Sequence, residues 1–308
     1  MIVLAALVGL VLAAPPPDSP LVSTFSIVAR DPGNGDLGVA VQSKFPNVRV
    51  AVPYAKAGVG AVATQSFSNS DFGTKGLELL ELGATPQEVL TIIGRDDEAL
   101  QDRQVGIVDA KGRAATFTGK KCFDWAGGRT GPDYAIQGNI LVSEATVDAM
   151  EKAFLASKGS LADRLLASIK AGAEAGGDKR GRQSAALVVV RPGASYDAKS
   201  DRYIDISVYD AKDPIAEIYR LYELQLVHFE RSDPKDVIAI AGADAVYLQK
   251  LLAKKGFHKG RTDGVWDEAS TKALADYMGW ENYDTRIRQD GKIDKKILEL
   301  IRAKEGPI

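Results

Sequence analysis

Imidazole and thiol side chains are nearly absent from this chain: its 308 residues hold two histidines, His228 and His258, and one cysteine, Cys122. A lone thiol excludes an intramolecular disulfide. A histidine-rich zinc site or a Ser-His-Asp triad in the larger part of the chain would have to use His228. That residue lies in IYRLYELQLVHFE, on an expected helix, where a packed or rim histidine is the plainer account. No metal and no cofactor are expected. An excess of one charge is also missing, since 39 basic and 41 acidic residues leave a net charge of −2. The basic face that nucleic acid or anionic lipid would need is therefore not supplied. No glycine-rich loop joins a strand to a helix, so a nucleotide fold has no support.

Long apolar runs are confined to the N-terminus, MIVLAALVGLVLAAPPPDSP. Its apolar stretch of about a dozen residues falls short of the roughly 20 that span a bilayer as a helix. It suits the h-region of a signal peptide, although no Lys or Arg precedes it. Val11-Leu12-Ala13 is a cleavage motif with cutting before Ala14, and without a cysteine there a lipoprotein is excluded. Residues 1–20 are read as a signal peptide in preference to an uncleaved anchor, and the protein as exported.

What is present is ordinary globular protein, 45% hydrophobic and 26% charged, long enough for two domains. The stretch from Ser23 to Asn69 organises the rest. Phe25, Ile27 and Ala29 alternate with Ser26, Val28 and Arg30, the period of a strand. Asp31-Pro-Gly-Asn-Gly-Asp36 is a turn, and Gly38 to Val41 returns as a second strand. Val48 to Val52 and Gly58 to Gln65 are expected as a second hairpin, the four strands forming one sheet.

Beyond them, Phe72 to Leu82 reads as a helix, and Thr85-Pro86-Gln87-Glu88 as a capping box opening another. Strands are expected over Gln104–Val108, Arg113–Thr118 and Ala135–Val142. Helices follow over Glu144–Ala156 and from Ser160 to about Ala175, then strands over Ser184–Arg191 and Tyr203–Val208, and a helix from Pro214 to Phe229. Strands grouped with strands, and helices in pairs, predict an α+β fold of antiparallel sheets with helices stacked outside. Arg231 to Asp236 is a polar linker. The remainder reads as a small three-helix module near the lower size limit for independent stability.

The strings TFSIVARD, GVAVQSKF, AGVGAVATQ, RQVGIVDA, YAIQGNIL, VDAMEKAF and GGDKRGRQSAAL together resemble the bacterial family catalogued as domain of unknown function 1028, from Thr24 to about Phe229. The resemblance implies the four-layer αββα sandwich of N-terminal-nucleophile hydrolases over residues 23–230. In that superfamily a Thr, Ser or Cys opening the first strand attacks a carbonyl, and its own α-amine takes the proton. A free α-amine has a pKa near 8, which suits a general base.

Thr24 is the implied nucleophile and Ser23 the runner-up. Cutting before Ala14 would leave about ten residues ahead of Thr24, so a second cut between Ser23 and Thr24 is required. Thr24 as an ordinary strand residue is the plainer account. Lys44, after Ser43 at the end of the second strand, falls beside Thr24 if the hairpin closes in register. There it could hold the amine and the oxygen.

Gln65, Ser66 and Asn69 close the fourth strand, and Gln137 and Asn139 lie in a later one. Amides in such places donate to an oxyanion or else cap turns. Asp178, Arg180 and Gln183 sit in a glycine-rich loop that suits a substrate rim or a salt-bridged turn. Cys122 is expected to be buried near Trp125.

The tail resembles peptidoglycan-binding domains at residues 237–304, through Gly256-Phe257, Asp263-Gly264-Val265-Trp266, Trp280-Glu281-Asn282 and Asp290-Gly-Lys-Ile-Asp294. Asp263, Trp266, Trp280 and Asn282 are the binding candidates. The combined expectation is an exported hydrolase acting on a small amide or peptide, tethered to peptidoglycan and assembled as a homo-oligomer. The alternative is a wall-associated binding or scaffold protein that keeps the fold without the chemistry.

Overall fold

The computed structural model describes residues 24–308; the expected signal peptide and Ser23 lie outside the described residues. Strands β1 (Thr24–Arg30) and β2 (Leu37–Ser43) pair antiparallel, with Thr24 opposite Ser43 and Arg30 opposite Leu37. After a 3₁₀ turn at Val48–Val50 come β3 (Pro53–Lys56) and β4 (Gly60–Ser66). Helices α1 (Ser70–Glu81) and α2 (Pro86–Arg95) follow, α2 opened by the expected capping box of Thr85 and Glu88. Then come β5 (Arg103–Asp109), β6 (Ala114–Thr118), β7 (Gly127–Gly131) and β8 (Tyr134–Asn139). Helices α3 (Ala145–Ala156) and α4 (Leu161–Glu174) precede β9 (Ser184–Val190) and β10 (Arg202–Val208).

Two antiparallel sheets result, one with the order β9-β2-β1-β8-β7 and the other β3-β4-β5-β6. Helices α3 and α4 cover the first and α1 and α2 the second, so the layers run α, β, β, α. The expectation that the first four strands share a sheet is wrong. Strand β4 pairs with β5, not with β2. Val48 and Val52 are fully buried between the sheets, so their spacing marks a crossover. Pro46 and left-handed Asn47 (φ 48°) break the extended chain just before it.

Alternation assigns the faces of β1. Phe25 packs toward α4, where a Cβ on Gly172 would meet its ring. Thr24, Ser26 and Val28 face the opposite sheet. Toward the Arg30 end that inter-sheet layer is Val28, Val39, Val41, Ala61, Ala63 and Val108. At about 25 cal/mol per Å² of apolar surface buried, this valine-alanine cluster is what clamps the sheets together.

By compactness the chain divides into two units. The first holds the residues up to Pro192 together with Ser207–Pro214, the second Gly193–Ile206 and Ile215–Ile308. The second therefore includes α5 (Pro214–Phe229) from Ile215 onward, as well as the tail. The tail has α6 (Gly242–Lys254), α7 (Glu268–Trp280) and α8 (Lys295–Glu305). It also has a two-stranded sheet of β11 (Val237–Ala239) and β12 (Lys292–Asp294) that sequence reading missed. Val227 of α5 joins the tail's core with Leu248, Leu252, Leu274, Tyr277 and Ile297. Among the described residues no helix is long and apolar enough to cross a membrane.

Candidate functional site

Where β1 begins, the layer between the sheets stops being apolar. Thr24 faces Ser43 on one side and Asn139 of β8 on the other, and Ser26 faces Gln137. From the second sheet Gln65 of β4 and Gln104 of β5, themselves paired, close on the same space. All of these side chains are fully buried. A buried amide costs about 1–3 kcal/mol for each hydrogen-bonding group left unsatisfied, so such a layer persists only if it is internally bonded.

It is so bonded. Ser26 Oγ donates to Gln65 Oε1 at 2.6 Å and accepts from Gln137 Nε2 at 2.6 Å. Gln65 Nε2 donates to the Thr24 carbonyl (3.1 Å) and to Gln104 Oε1 (2.9 Å). Asn139 Nδ2 donates to the same Gln104 Oε1 at 2.9 Å. Gln104 Nε2 in turn reaches the Gly138 carbonyl (2.7 Å) and Thr118 Oγ1 (2.9 Å). Gly106 supplies the room, since a Cβ there would fall 2.0 Å from Gln137 Oε1. Gln104 is the hub. Gln104→Leu should lower unfolding free energy by about 3 kcal/mol, because it takes one partner each from two amides, a carbonyl and the Thr118 hydroxyl at once. A urea titration measures it, and a loss under about 1 kcal/mol would remove Gln104 from that role.

Thr24 sits at the open end of this cluster. Its Oγ1 lies 3.0 Å from Ser43 Oγ, and Asn139 Nδ2 approaches its carbonyl at 3.5 Å. In the chain that carries residues before it, Thr24 is 0% exposed. The hairpin does close in the expected register, putting Lys44 one step past Thr24's partner. The Lys44 side chain is exposed, while its backbone N–H donates to Asp178 Oδ2 at 3.1 Å. Asp178 also accepts the backbone N–H and guanidinium of Arg180. Gln183 donates its backbone N–H to the Ser43 carbonyl at 3.1 Å. Asp178, Arg180 and Gln183 thus form a tied turn against the end of β2.

Two backbone positions at this end are strained. Ser66, closing β4, has φ 68°, and Ile140, just past β8, has φ 52°. A left-handed conformation costs on the order of 1–3 kcal/mol at such residues, most at a β-branched one. Ile140 is held there by its N–H to the Phe123 carbonyl (2.9 Å) and its carbonyl to the Lys179 N–H (3.0 Å). Cys122 is buried, as expected, with Sγ on the Arg103 carbonyl at 3.3 Å. Burial pushes its thiol pKa up, partly opposed by a hydrogen bond with Ser66. A protonated, enclosed thiol is no nucleophile at neutral pH.

Asn69 is used otherwise. It caps α1, accepting the Asp71 N–H at 3.0 Å, and donates to Asp97 Oδ2 at 2.9 Å. Arg103 grips both oxygens of Asp97 (2.9 and 3.2 Å) and the Phe67 carbonyl. The Arg103 hydrogen bond holds the Asp97 carboxyl below the usual carboxylate range, against the opposing effect of burial. A lowered folded-state pKa stabilises above the unfolded value near 4 and is lost as pH falls through the folded one. Asp97→Asn should therefore lower stability at pH 7 and flatten the loss of stability below about pH 4, as acid titration followed by circular dichroism would show. A variant curve parallel to that of the wild type would count against it.

The structure thus brings together Thr24, Ser43, Gln65, Gln137 and Asn139, while Ser66 pairs with Cys122. The Lys44 ammonium and the Asn69 amide lie outside the amide cluster. Sequence reading missed Ser26 and Gln104. Ser26 shares the face of Thr24 by simple alternation, a signal that was available. Gln104 was marked only by its place before a valine-isoleucine strand.

In the tail, Asp263 Oδ1 accepts the Val265 N–H, and Trp266 is half-buried with Nε1 on Thr271 Oγ1. Asn282, at φ 61°, offers its carbonyl to His228 Nδ1 at 3.0 Å. Trp280 is different. It ends α7 at 76% exposure, 6.5 Å from the Phe257 ring and tilted to it.

The fold and its buried amides define a sandwich protein of two antiparallel sheets between helical layers, joined to a small helical module. The chain belongs to the Family of unknown function (DUF1028), whose model matches residues 24–218. Residues 228–301 match a second family, described as "Putative peptidoglycan binding domain", which points to association with the cell wall. The chain is similar to a crystal structure of a Silicibacter pomeroyi protein of the same first family. The two are 29% identical, with a TM-score of 0.61, over 66% of this chain and 89% of that one. No curated protein matches.

Proposed function

We propose that the protein is an exported, wall-associated amide hydrolase of N-terminal-nucleophile type, latent until the residues before Thr24 are removed. The observation that carries this reading is the place of Thr24: first residue of a central strand, at the end of a layer of fixed amides. Hydrolysis of the Ser23–Thr24 bond would free an α-amine next to the Thr24 hydroxyl. The amine accepts the Oγ1 proton as Oγ1 bonds to the substrate carbonyl carbon. Collapse expels the substrate's amine, which takes that proton, and water then hydrolyses the Thr24 ester, returning a carboxylic acid.

Gln65 and Asn139 fix the Thr24 backbone through its carbonyl. Asn139 and the Ser43 hydroxyl are the polar side chains in contact with Thr24 and would serve the developing oxyanion. Asp178, Arg180 and Gln183 would form the rim, with Lys44 beside them. The substrates that fit the tail's family are small amides or peptides released from the wall.

A second reading has its own support. The Thr24 hydroxyl is fully buried against Ser43 while the Lys44 side chain is exposed, as in a wall-binding protein that never turns over. Intact-mass analysis of secreted protein separates the two. A mature chain starting at Thr24 is expected for the enzyme, and one starting at Ala14 in fully functional material overturns it.

A further inference from the structure

Within the second unit, the Gly193–Ile206 excursion, the end of α5 and Thr285 enclose a cleft of about 460 Å³. That volume suits one or two sugar rings. Tyr196 stands 75% exposed and meets the partly exposed Phe229 edge to face, with ring centroids 6.1 Å apart. The loop that presents Tyr196 is tied to itself. Ser195 Oγ accepts the N–H groups of Lys199 and Ser200 (3.1 and 2.9 Å) and donates to Asp197 Oδ1 at 2.7 Å.

An aromatic held out by an ordered loop loses little entropy when a ligand stacks on it. Two guanidiniums line the same cleft. Arg202 is paired with the better-buried Asp205 at 3.3 Å. Arg231 is exposed and has no ion pair among the described residues. Two arginines against one aspartate leave the lining cationic. Gln225 adds an amide, which donates to the Tyr203 carbonyl at 3.3 Å.

We propose that this cleft binds a short glycan bearing a carboxylate, the sugar stacked on Tyr196 and Phe229 and the carboxylate held by Arg231. Aromatic faces accept the C–H surface of a pyranose, and a guanidinium matches a carboxylate in two parallel hydrogen bonds. Naming a wall fragment as its source rests on the wall association proposed above. Muramic acid carries such a carboxylate on its lactyl ether, and a stem peptide moves the charge to its own end without removing it. The cleft draws on Gly193–Ile206, outside the peptidoglycan-binding match, and on Phe229, Arg231 and Thr285 inside it.

Calorimetric titration of the full-length protein with N-acetylglucosaminyl-N-acetylmuramic acid, and with neutral di-N-acetylchitobiose, tests the assignment. Arg231→Gln should weaken the acidic disaccharide about tenfold and leave the neutral one unchanged, the effect of one charge-assisted pair. Tyr196→Ala should weaken both about tenfold, and Tyr196→Phe should restore them. Equal affinity for the two sugars, or two variants that bind as the wild type does, overturns the proposal. Sedimentation of the same proteins with purified peptidoglycan separates the two levels. Wild type that sediments but ignores both sugars refutes the cleft and keeps wall association. Wild type that binds the acidic sugar in the cleft yet does not sediment does the reverse.

Discussion

Thr24→Ala, made in protein whose mature chain begins at residue 24, should lower amide hydrolysis about a thousandfold or more, the scale of losing a nucleophile and not a contact. Thr24→Ser should keep most of the activity, because the hydroxyl and the amine beside it both remain. Release of amine from wall-derived peptides is the measurement. The stability change should be small, about 1 kcal/mol for one lost hydrogen bond to Ser43. A melt showing an intact fold therefore ties the loss to chemistry. An alanine variant as active as its parent would leave Thr24 a strand residue and favour the binding protein.

Arg286→Ala should be the most destabilising single change in the second unit, at about 3–5 kcal/mol. Its guanidinium is buried against the Asp294 carboxylate and donates to the Val227 and Leu226 carbonyls at 2.9 and 2.7 Å. Both carbonyls belong to the last turns of α5: the Leu226 carbonyl also accepts the Glu230 N–H at 3.3 Å, whereas Val227 lies past the last helical donor. Asp294 also caps α8 through the Lys296 N–H. Removing the arginine takes the ion-pair partner from a buried carboxylate and the donor from the Val227 carbonyl, and leaves the Leu226 carbonyl with the Glu230 N–H alone. Arg286→Lys should recover little, since an ammonium cannot reproduce a planar fork on three acceptors. Thermal denaturation followed at the tail's tryptophans reports the effect; a shift of the midpoint by only a degree or two would show that the cluster is ornamental.

Much of the sandwich was legible because period-two alternation marks β1, turn chemistry marks the Asp31–Asp36 loop before β2, and β9 is a buried run rich in valine. The capping pairs Thr85–Glu88 and Ser160–Asp163 fixed two helix starts. Three elements were hidden. Strand β7 is Gly-Gly-Arg-Thr-Gly, whose composition argues for a loop; pairing with β8 overrides it. Strands β11 and β12 have three residues each, too short for any period. The turn at Val48 mimicked a strand because valines recur at every second residue, yet only Val48 and Val52 are buried and Val50 is exposed.

At the site, the polar face of β1 could be read from parity alone. The meeting of Gln65 with Gln104 and Asn139 could not, because it depends on how one sheet lies over the other. The roles of Asn69 and Lys44 depend on where single side chains turn at element ends. Spacing in the chain carries no information about that.

The helix leading out of the sandwich ends on Arg286, and the Gly193–Ile206 excursion, which takes in the first residues of β10, belongs to the same compact unit. The wall-binding part is thus no cassette. Grafting only its last seventy or so residues onto another protein would leave behind the helix end that Arg286 caps and the loop that carries Tyr196. Any exchange of this part between proteins, in evolution or in the laboratory, has to cross a boundary that falls within β10 as well as one at the start of α5.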